Sequence, residues 1–242
     1  MDPFSLMLFI IAGGVLVGVC VHFIPASAVG AMSASTGIAT GPSMLSFGAG
    51  LTGILSASFA LDSGPVAMLA SGAAGSALMI VLTILGGNLV NAFGTGVPPV
   101  SGQTASGQSL LGSSTKDVIT GWEQKPFVTP GTDGHGMPAQ TAISGIIGGI
   151  LGGVGGAMVF LGVHFLIVPI SQETAAFSGM VAAGIFLINC VLPAYTLVGK
   201  TEGMFDRKML TIPKTFLSCL IVSTFLALII YSVSTYASMG AV

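Results

Sequence analysis

Apolar residues run along this chain in long blocks, without the one-faced or alternating pattern of a water-soluble fold. Six blocks stand out, at residues 4–24, 44–61, 66–93, 142–168, 174–198 and 215–236, and none contains Lys, Arg, Asp or Glu. A helix needs about 20 apolar residues to cross a bilayer, so the pattern predicts an all-α polytopic protein with six transmembrane helices. The second block is short, and the third is long enough to tilt or to extend past the hydrocarbon. Residues 26–41 are uncharged but weakly apolar. They either extend the second helix or dip into the protein as a re-entrant segment. Ala26-Ser27-Ala28 has the form of a signal-peptide cleavage site. The segment before it carries Asp2 and no basic residue, and its apolar run is too long for a signal peptide. Residues 1–24 are therefore read as a retained span.

Composition agrees with the pattern and removes its rivals. Only 6% of residues are charged, 52% are hydrophobic and 36 are Gly, against about 25% charged in a soluble domain. Such a chain cannot cover a water-facing surface, and it is too apolar to be disordered. It has no basic face to neutralise phosphates, so nucleic acid is not expected as a partner. Cys20, Cys190 and Cys219 all lie in apolar runs without C-x-x-C spacing, and read as small buried residues.

The placement of charge orients the helices. With six spans, the connections 25–43, 94–141 and 199–214 share one side. They hold Lys116, Lys125, Lys200, Arg207, Lys208 and Lys214, which are all the basic residues; Asp2, Asp62 and Glu173 fall on the other side. Basic loops stay in the cytoplasm, so both termini are expected outside and the 95–141 loop inside, in a multi-pass cell-membrane protein. That loop carries five charges, Trp122 and the turn-rich run from Thr129 to Pro138. Gly and Pro at this density make turns rather than a packed domain, and a loop this long either binds something or is disordered.

The chain also repeats itself. Residues 13–23 (GGVLVGVCVHF) and 155–165 (GGAMVFLGVHF) align without gaps and agree at six of eleven positions, including His22/His164 and Phe23/Phe165. The offset maps the first three spans onto the last three. A unit that crosses the membrane three times must be inverted in its second copy, the 3+3 inverted-repeat architecture of many secondary transporters. The expected division is 1–94 as the first repeat, 95–141 as the loop and 142–242 as the second repeat. The bland counterpart is chance similarity of two Gly/Val-rich helices. Gly145, Gly149 and Gly153, and beside them Gly148, Gly152 and Gly156, form small-residue rows on one helix; Gly14 and Gly18 do so on another. Such rows let helices approach closely, whether the partner lies in this chain or in another protein of an assembly.

Few polar groups lie at membrane depth. Asn189 is the leading candidate for a cation ligand. Pro193 lies four residues on and has no N–H, so the Asn189 carbonyl loses its helical partner beside the side-chain amide. Two oxygens together suit a hard cation such as Na⁺; the bland reading is a proline kink satisfied by a neighbouring helix. Asn88 and Asn91 either line the same inner half or are ordinary helix-end groups. Asp62, in the turn Asp62-Ser63-Gly64-Pro65, is either an outer-mouth cation attractor or a turn and capping residue. His22 and His164, at opposite membrane faces, read as hydrogen-bonded anchors rather than ligands. His135 reads as a solvated turn residue. The charged turn at 199–214 reads as a solvated cytoplasmic segment to which anionic headgroups would add.

These segments are similar to a known family. MDP and AGGVLVGVCVHFIP, ATGPSMLSFGAGLTG, ITGWEQKPFVTPGTDGHGMP followed by SGIIGGILGGVGG, and TEGMFDRK resemble the D subunit of tetrahydromethanopterin S-methyltransferase, the membrane complex of methanogenic archaea. Residues 101–117 are less familiar and look like a loop insertion. The resemblance implies a place in methanogenesis and one-carbon metabolism. The complex moves a methyl group from methyl-tetrahydromethanopterin, or methyl-tetrahydrosarcinapterin, to a cobamide and then to coenzyme M, and couples this to outward Na⁺ pumping. The implied partners are membrane lipid, the polytopic subunits C and E, the cobamide-bearing A, and subunits B, F, G and H. No cofactor is expected on this chain and no catalytic residue of its own is identified. The resemblance supplies no Na⁺ motif, so the Asn189 reading rests on the residues alone. Read without the resemblance, the chain equally suits an independent secondary transporter; within a complex it suits a pure scaffold, with ion flow elsewhere.

Overall fold

The computed structural model describes residues 1–25, 42–90, 139–168, 174–197 and 203–240. Within them every long element is helical: α1 (Pro3–Phe23), α2 (Pro42–Phe59), α3 (Pro65–Val90), α4 (Ala139–Ile167), α5 (Thr174–Leu197) and α6 (Ile212–Gly240). Short 3₁₀ turns occupy Leu61–Ser63, Gly203–Phe205 and Arg207–Thr211. Each predicted span falls on one of the six helices. Residues 26–41 and the 95–141 loop, with Lys116, Lys125, Trp122 and His135, lie outside the described residues apart from the first turn of α4.

Five of these helices are long and apolar enough to cross a membrane: Pro3–Phe23, Pro65–Thr83, Ala142–Ile167, Ala175–Leu197 and Arg207–Met239. The second expected span differs. α2 is 18 residues long, and its described apolar stretch, Leu45–Phe59, is shorter than the other five.

Local chemistry sets the ends. Pro3 opens α1, and Asp2 caps it, accepting from the Ser5 N–H at 2.9 Å and the Ser5 hydroxyl at 2.6 Å. These two bonds hold the Asp2 carboxyl below its ordinary pKa. A depressed carboxylate stabilises the fold above its unfolded pKa and loses that contribution as pH falls through its folded value. Hydrogen exchange at the Ser5 amide is therefore expected to quicken as the pH drops below the ordinary Asp range. A rate independent of Asp2 titration, after correction for intrinsic exchange, would remove the cap. Between α2 and α3, Gly64 turns the chain at φ +87° and Pro65 starts the next helix, where its missing N–H costs nothing.

α4 is the centre. It packs on α1, α2, α3 and α5, and its two glycine rows face different partners within this chain. Gly145 and Gly149 lie against Ile80 of α3, while Gly148 and Gly152 lie against Ile24, Phe23 and Cys20 at the end of α1. Further along, a Cβ on Gly13 would stand 2.6 Å from the carbonyl oxygen of Gly155, and one on Gly162 would stand 2.6 Å from that of Leu6. The order of these contacts makes α1 and α4 antiparallel, so His22 and His164 lie at opposite ends of the bundle. α6 runs antiparallel to α1, with Ser223 beside Gly14 and Cys219 beside Gly18. Arg207, Lys208 and Lys214 therefore cluster at the His22 end, and Asp2 stands at the other. Outside the bundle α6 presents Phe216, Leu217, Phe225 and Leu228, all exposed, as a lipid-facing helix does.

Candidate functional site

The buried polar groups are not scattered. Four of them, His22, Asn189, Thr215 and Ser223, line one seam between α1, α5 and α6. α6 supplies Thr215, Cys219 and Ser223, with Thr211 just before it; successive residues stand four apart and so share one face. α1 meets this row with Gly14 and Gly18, whose missing side chains let the polar row approach. A Cβ on Gly14 would lie 2.9 Å from the Asn189 amide nitrogen, and one on Gly18 would lie 3.2 Å from Thr215.

Asn189 is fully buried at the middle of this seam. Its amide nitrogen donates to the Ile185 carbonyl at 3.0 Å, and its side-chain oxygen accepts from the Ser223 hydroxyl at 3.0 Å. Pro193 sits inside α5, and the Asn189 carbonyl it frees takes the Cys219 thiol as a weak donor at 3.7 Å. Side-chain oxygen and freed carbonyl thus both face α6. Each is held by a weak or exchangeable donor, a hydroxyl and a thiol, rather than by a helical N–H.

The other expected residues fall elsewhere. Asp62 is exposed on the turn before α3. Asn88 lies at the far end of the same helix, about 35 Å away; its side chain and the whole of Asn91 lie outside what is described. His22 is an anchor, as its position suggested, but a buried one: its Nε2 lies 3.0 Å from the Thr211 hydroxyl and 3.3 Å from that of Thr215. His164 is buried between the rings of Phe160, stacked at 5.5 Å between centroids, and Phe165, edge-on at 5.3 Å. The three cysteines are free and buried, and no group of three His, Cys, Asp or Glu suited to a metal occurs among the described residues.

The charged turn after α5 docks on the His22 end of the bundle. Ser144, the buried hub, donates to the Phe23 carbonyl at 2.6 Å and accepts from the Met204 N–H at 2.7 Å. It thereby ties the end of α1, the start of α4 and the turn together. Gly203 makes the approach at φ +72°, with the Phe23 carbonyl oxygen 2.6 Å from where a Cβ would sit.

The α6 row is what a reading of the sequence misses. Thr211, Thr215, Cys219 and Ser223 form a four-residue period of small polar groups, within and just before a block that stands out only for its apolar content.

Comparison with known proteins bears on the whole chain. The family described as the D subunit of tetrahydromethanopterin S-methyltransferase matches residues 3–223. Proteins of that name are 41% identical over 92% of this chain and 93% of their own length in Methanothermobacter marburgensis, and 38% identical over 96% and 97% in Methanopyrus kandleri. In Methanosarcina mazei the figures are 36% over 98% and 96%. With likeness of this extent, running end to end through the helices that build the seam, the chain belongs to the D-subunit family of tetrahydromethanopterin S-methyltransferase and is one component of a multi-subunit methyltransferase.

Proposed function

We propose that this chain is an integral membrane component of the complex that transfers a methyl group from methyl-tetrahydromethanopterin, or its sarcinapterin counterpart, to coenzyme M through a cobamide on another subunit, coupled to Na⁺ translocation. Within it the chain is a membrane scaffold and carries part of the Na⁺ path. It binds no cobamide and supplies no catalytic residue; its partners are polytopic subunits C and E, cobamide-bearing A, and B, F, G and H. Family membership supports the complex-level reading. The single observation that carries the ion reading is Asn189: two oxygens at the middle of the seam, both facing α6 and neither engaged by a helical N–H. Asp62 is a cation attractor at the outer mouth, and Asn88 and Asn91 belong to the inner half of the path.

The architecture proposed with it is six spans in two inverted repeats, with both termini outside. Support for the repeat comes from the α1–α4 crossing. Gly13 and Gly155 are equivalent positions of the two repeats. A Cβ on Gly13 would stand 2.6 Å from the Gly155 carbonyl oxygen and 2.9 Å from Val159; one on Gly155 would stand 2.8 Å from the Gly13 carbonyl oxygen and 3.1 Å from Val17. Val17 and Val159 are equivalent as well, so the contacts exchange as a local two-fold requires. Likewise α1 packs on α5 and α6, and α4 on α2 and α3.

Solubilised particles containing this chain are expected to hold a corrinoid-bearing protein and to show Na⁺-dependent methyl transfer to coenzyme M. A lone homo-oligomer without corrinoid absorbance overturns this and leaves the independent transporter. In sealed right-side-out cells, a cysteine replacing Lys116 is expected to resist an impermeant thiol reagent; labelling there reverses the orientation.

A further inference from the structure

Two buried polar atoms flank the Asn189–Ser223 pair, one toward each end of the bundle. On the inner side is His22, 1% exposed. The Thr211 hydroxyl lies 2.7 Å from the Lys208 carbonyl oxygen and 3.0 Å from His22 Nε2. Nδ1, on the other side of the ring, has no hydrogen-bond partner among the described residues. On the other side is Ser178, wholly buried. It stands eleven residues before Asn189 on α5, about three turns, and therefore on the same helix face. Its hydroxyl too has no hydrogen-bond partner among the described residues, although a serine within a helix readily donates to the carbonyl three or four residues back.

Buried polar groups are paired in folded proteins, by protein or by water. Here an unengaged ring nitrogen and an unengaged hydroxyl lie on either side of the Asn189–Ser223 contact. The inner one lies eight residues from Gly14, about 12 Å along α1 from the Asn189–Ser223 contact; the outer one is about 16 Å from it along α5. Ala182, seven residues before Asn189 on α5, and Ala227, four after Ser223 on α6, are both fully buried.

We propose that the seam between α1, α5 and α6 holds ordered water at two stations, His22 Nδ1 on the inner side and Ser178 Oγ on the outer. The hydrogen bond from Ser223 to Asn189 is the closed gate that separates them. The hydration does not depend on Na⁺; only the gating role rests on the Na⁺-path reading above. Water at the inner station hydrogen-bonds His22 Nδ1, the buried ring nitrogen that the described residues leave without a partner. Opening requires Ser223 to release the Asn189 oxygen, and the oxygen so released is the one offered to a cation.

Hydroxyl-radical labelling by water radiolysis in the intact methyltransferase complex tests the hydration directly, because radicals born from bound water oxidise the side chains beside it. After correction for the intrinsic reactivity of each side chain, His22 and Cys219 are expected to be oxidised several-fold faster than Met68, which is equally buried on α3 away from the seam. In a Ser178→Cys complex the new thiol is expected to match them. Oxidation of all three at the Met68 rate means a dry seam and overturns the proposal. The gate is read separately in proteoliposomes without methyl donor. Loss of one hydrogen bond in Ser223→Ala is expected to raise passive ²²Na⁺ leak about fivefold, and Ser223→Thr, which keeps the hydroxyl, is expected to restore the wild-type value. Leak unchanged in Ser223→Ala while the seam labels as wet overturns the gate. Labelling with no Na⁺ movement through any variant, and Na⁺ dependence indifferent to Asn189, leaves the hydrated seam standing and removes the Na⁺-path reading instead.

Discussion

A Gly153→Val complex is expected to lose assembly, or to melt far below the wild type. Gly153 sits where α2, α3 and α4 meet. A Cβ there would lie 2.6 Å from the Ser76 hydroxyl oxygen and 2.7 Å from the Ser76 Cβ, and would run into the Gly72 carbonyl oxygen. From the other side, a Cβ on Gly53 would stand 2.7 Å from the Gly153 Cα. The Gly72 carbonyl is backbone and cannot swing away, so the helices themselves must part. Overpacking a filled core costs about 1–3 kcal/mol, and contact with immovable backbone puts this site at or above the top of that range. Parting α3 from α4 would also strain the bond from Ser76 to the Ala49 carbonyl that ties α3 to α2. Gly184→Val on α5 is the comparison, since a Cβ there meets nothing within 4 Å. Thermal unfolding of the purified complexes checks the difference. Equal melting of the two variants would mean that the three-helix junction is looser than its geometry.

Asn189→Leu is expected to weaken Na⁺ stimulation of methyl transfer about tenfold or more while the complex still assembles. The two effects separate because the groups left behind differ. Leucine nearly matches asparagine in shape, and the Ser223 hydroxyl can turn to a carbonyl of its own helix. Interhelical polar bonds in membranes average only about 0.6 kcal/mol, so stability changes little. A ligand oxygen for a cation is worth about 1.5–3 kcal/mol, and each 1.4 kcal/mol is a factor of about ten. Pro193→Ala probes the second oxygen independently. It returns a helical N–H to the Asn189 carbonyl without touching the side chain, and should weaken Na⁺ stimulation by itself. Na⁺ dependence unchanged in both variants, with assembly intact, takes Asn189 out of the path.

The helices were legible because lipid imposes one demand on sequence: long uncharged blocks. Five of the six blocks coincide with helices that meet the length for a span. The exception, α2, shows the limit of that reading. Its block lies on a helix of 18 residues, Pro42–Phe59, whose described apolar stretch is the shorter Leu45–Phe59. The glycine rows on α4 were legible as close-packing faces, since only backbone approach explains small residues at four-residue spacing. Their partners were not. Nothing local says that Gly149 meets Ile80 while Gly148 meets Ile24, because that choice depends on how three helices cross.

The site divides the same way. Asn189 and Pro193 could be paired by counting, since a proline always frees the carbonyl four residues back. That the freed carbonyl faces Cys219, and the side chain Ser223, depends on the rotation of α6 about its own axis. His22 could be placed at a helix end and read as an anchor, but its partners lie 189 and 193 residues away, beyond the reach of any local pattern.

By itself, then, the order of residues determined the all-helical character, the near positions of six helices and the family. Each of these is a property of composition or of a continuous run. Only the tertiary structure decided which faces of α1, α5 and α6 meet, and so gathered Thr211, Thr215, Cys219, Ser223, His22 and Asn189 into one seam. The physical reason is that a buried polar group is satisfied by whatever crosses it in space, and in a bundle of six helices that neighbour is almost never its neighbour in the chain.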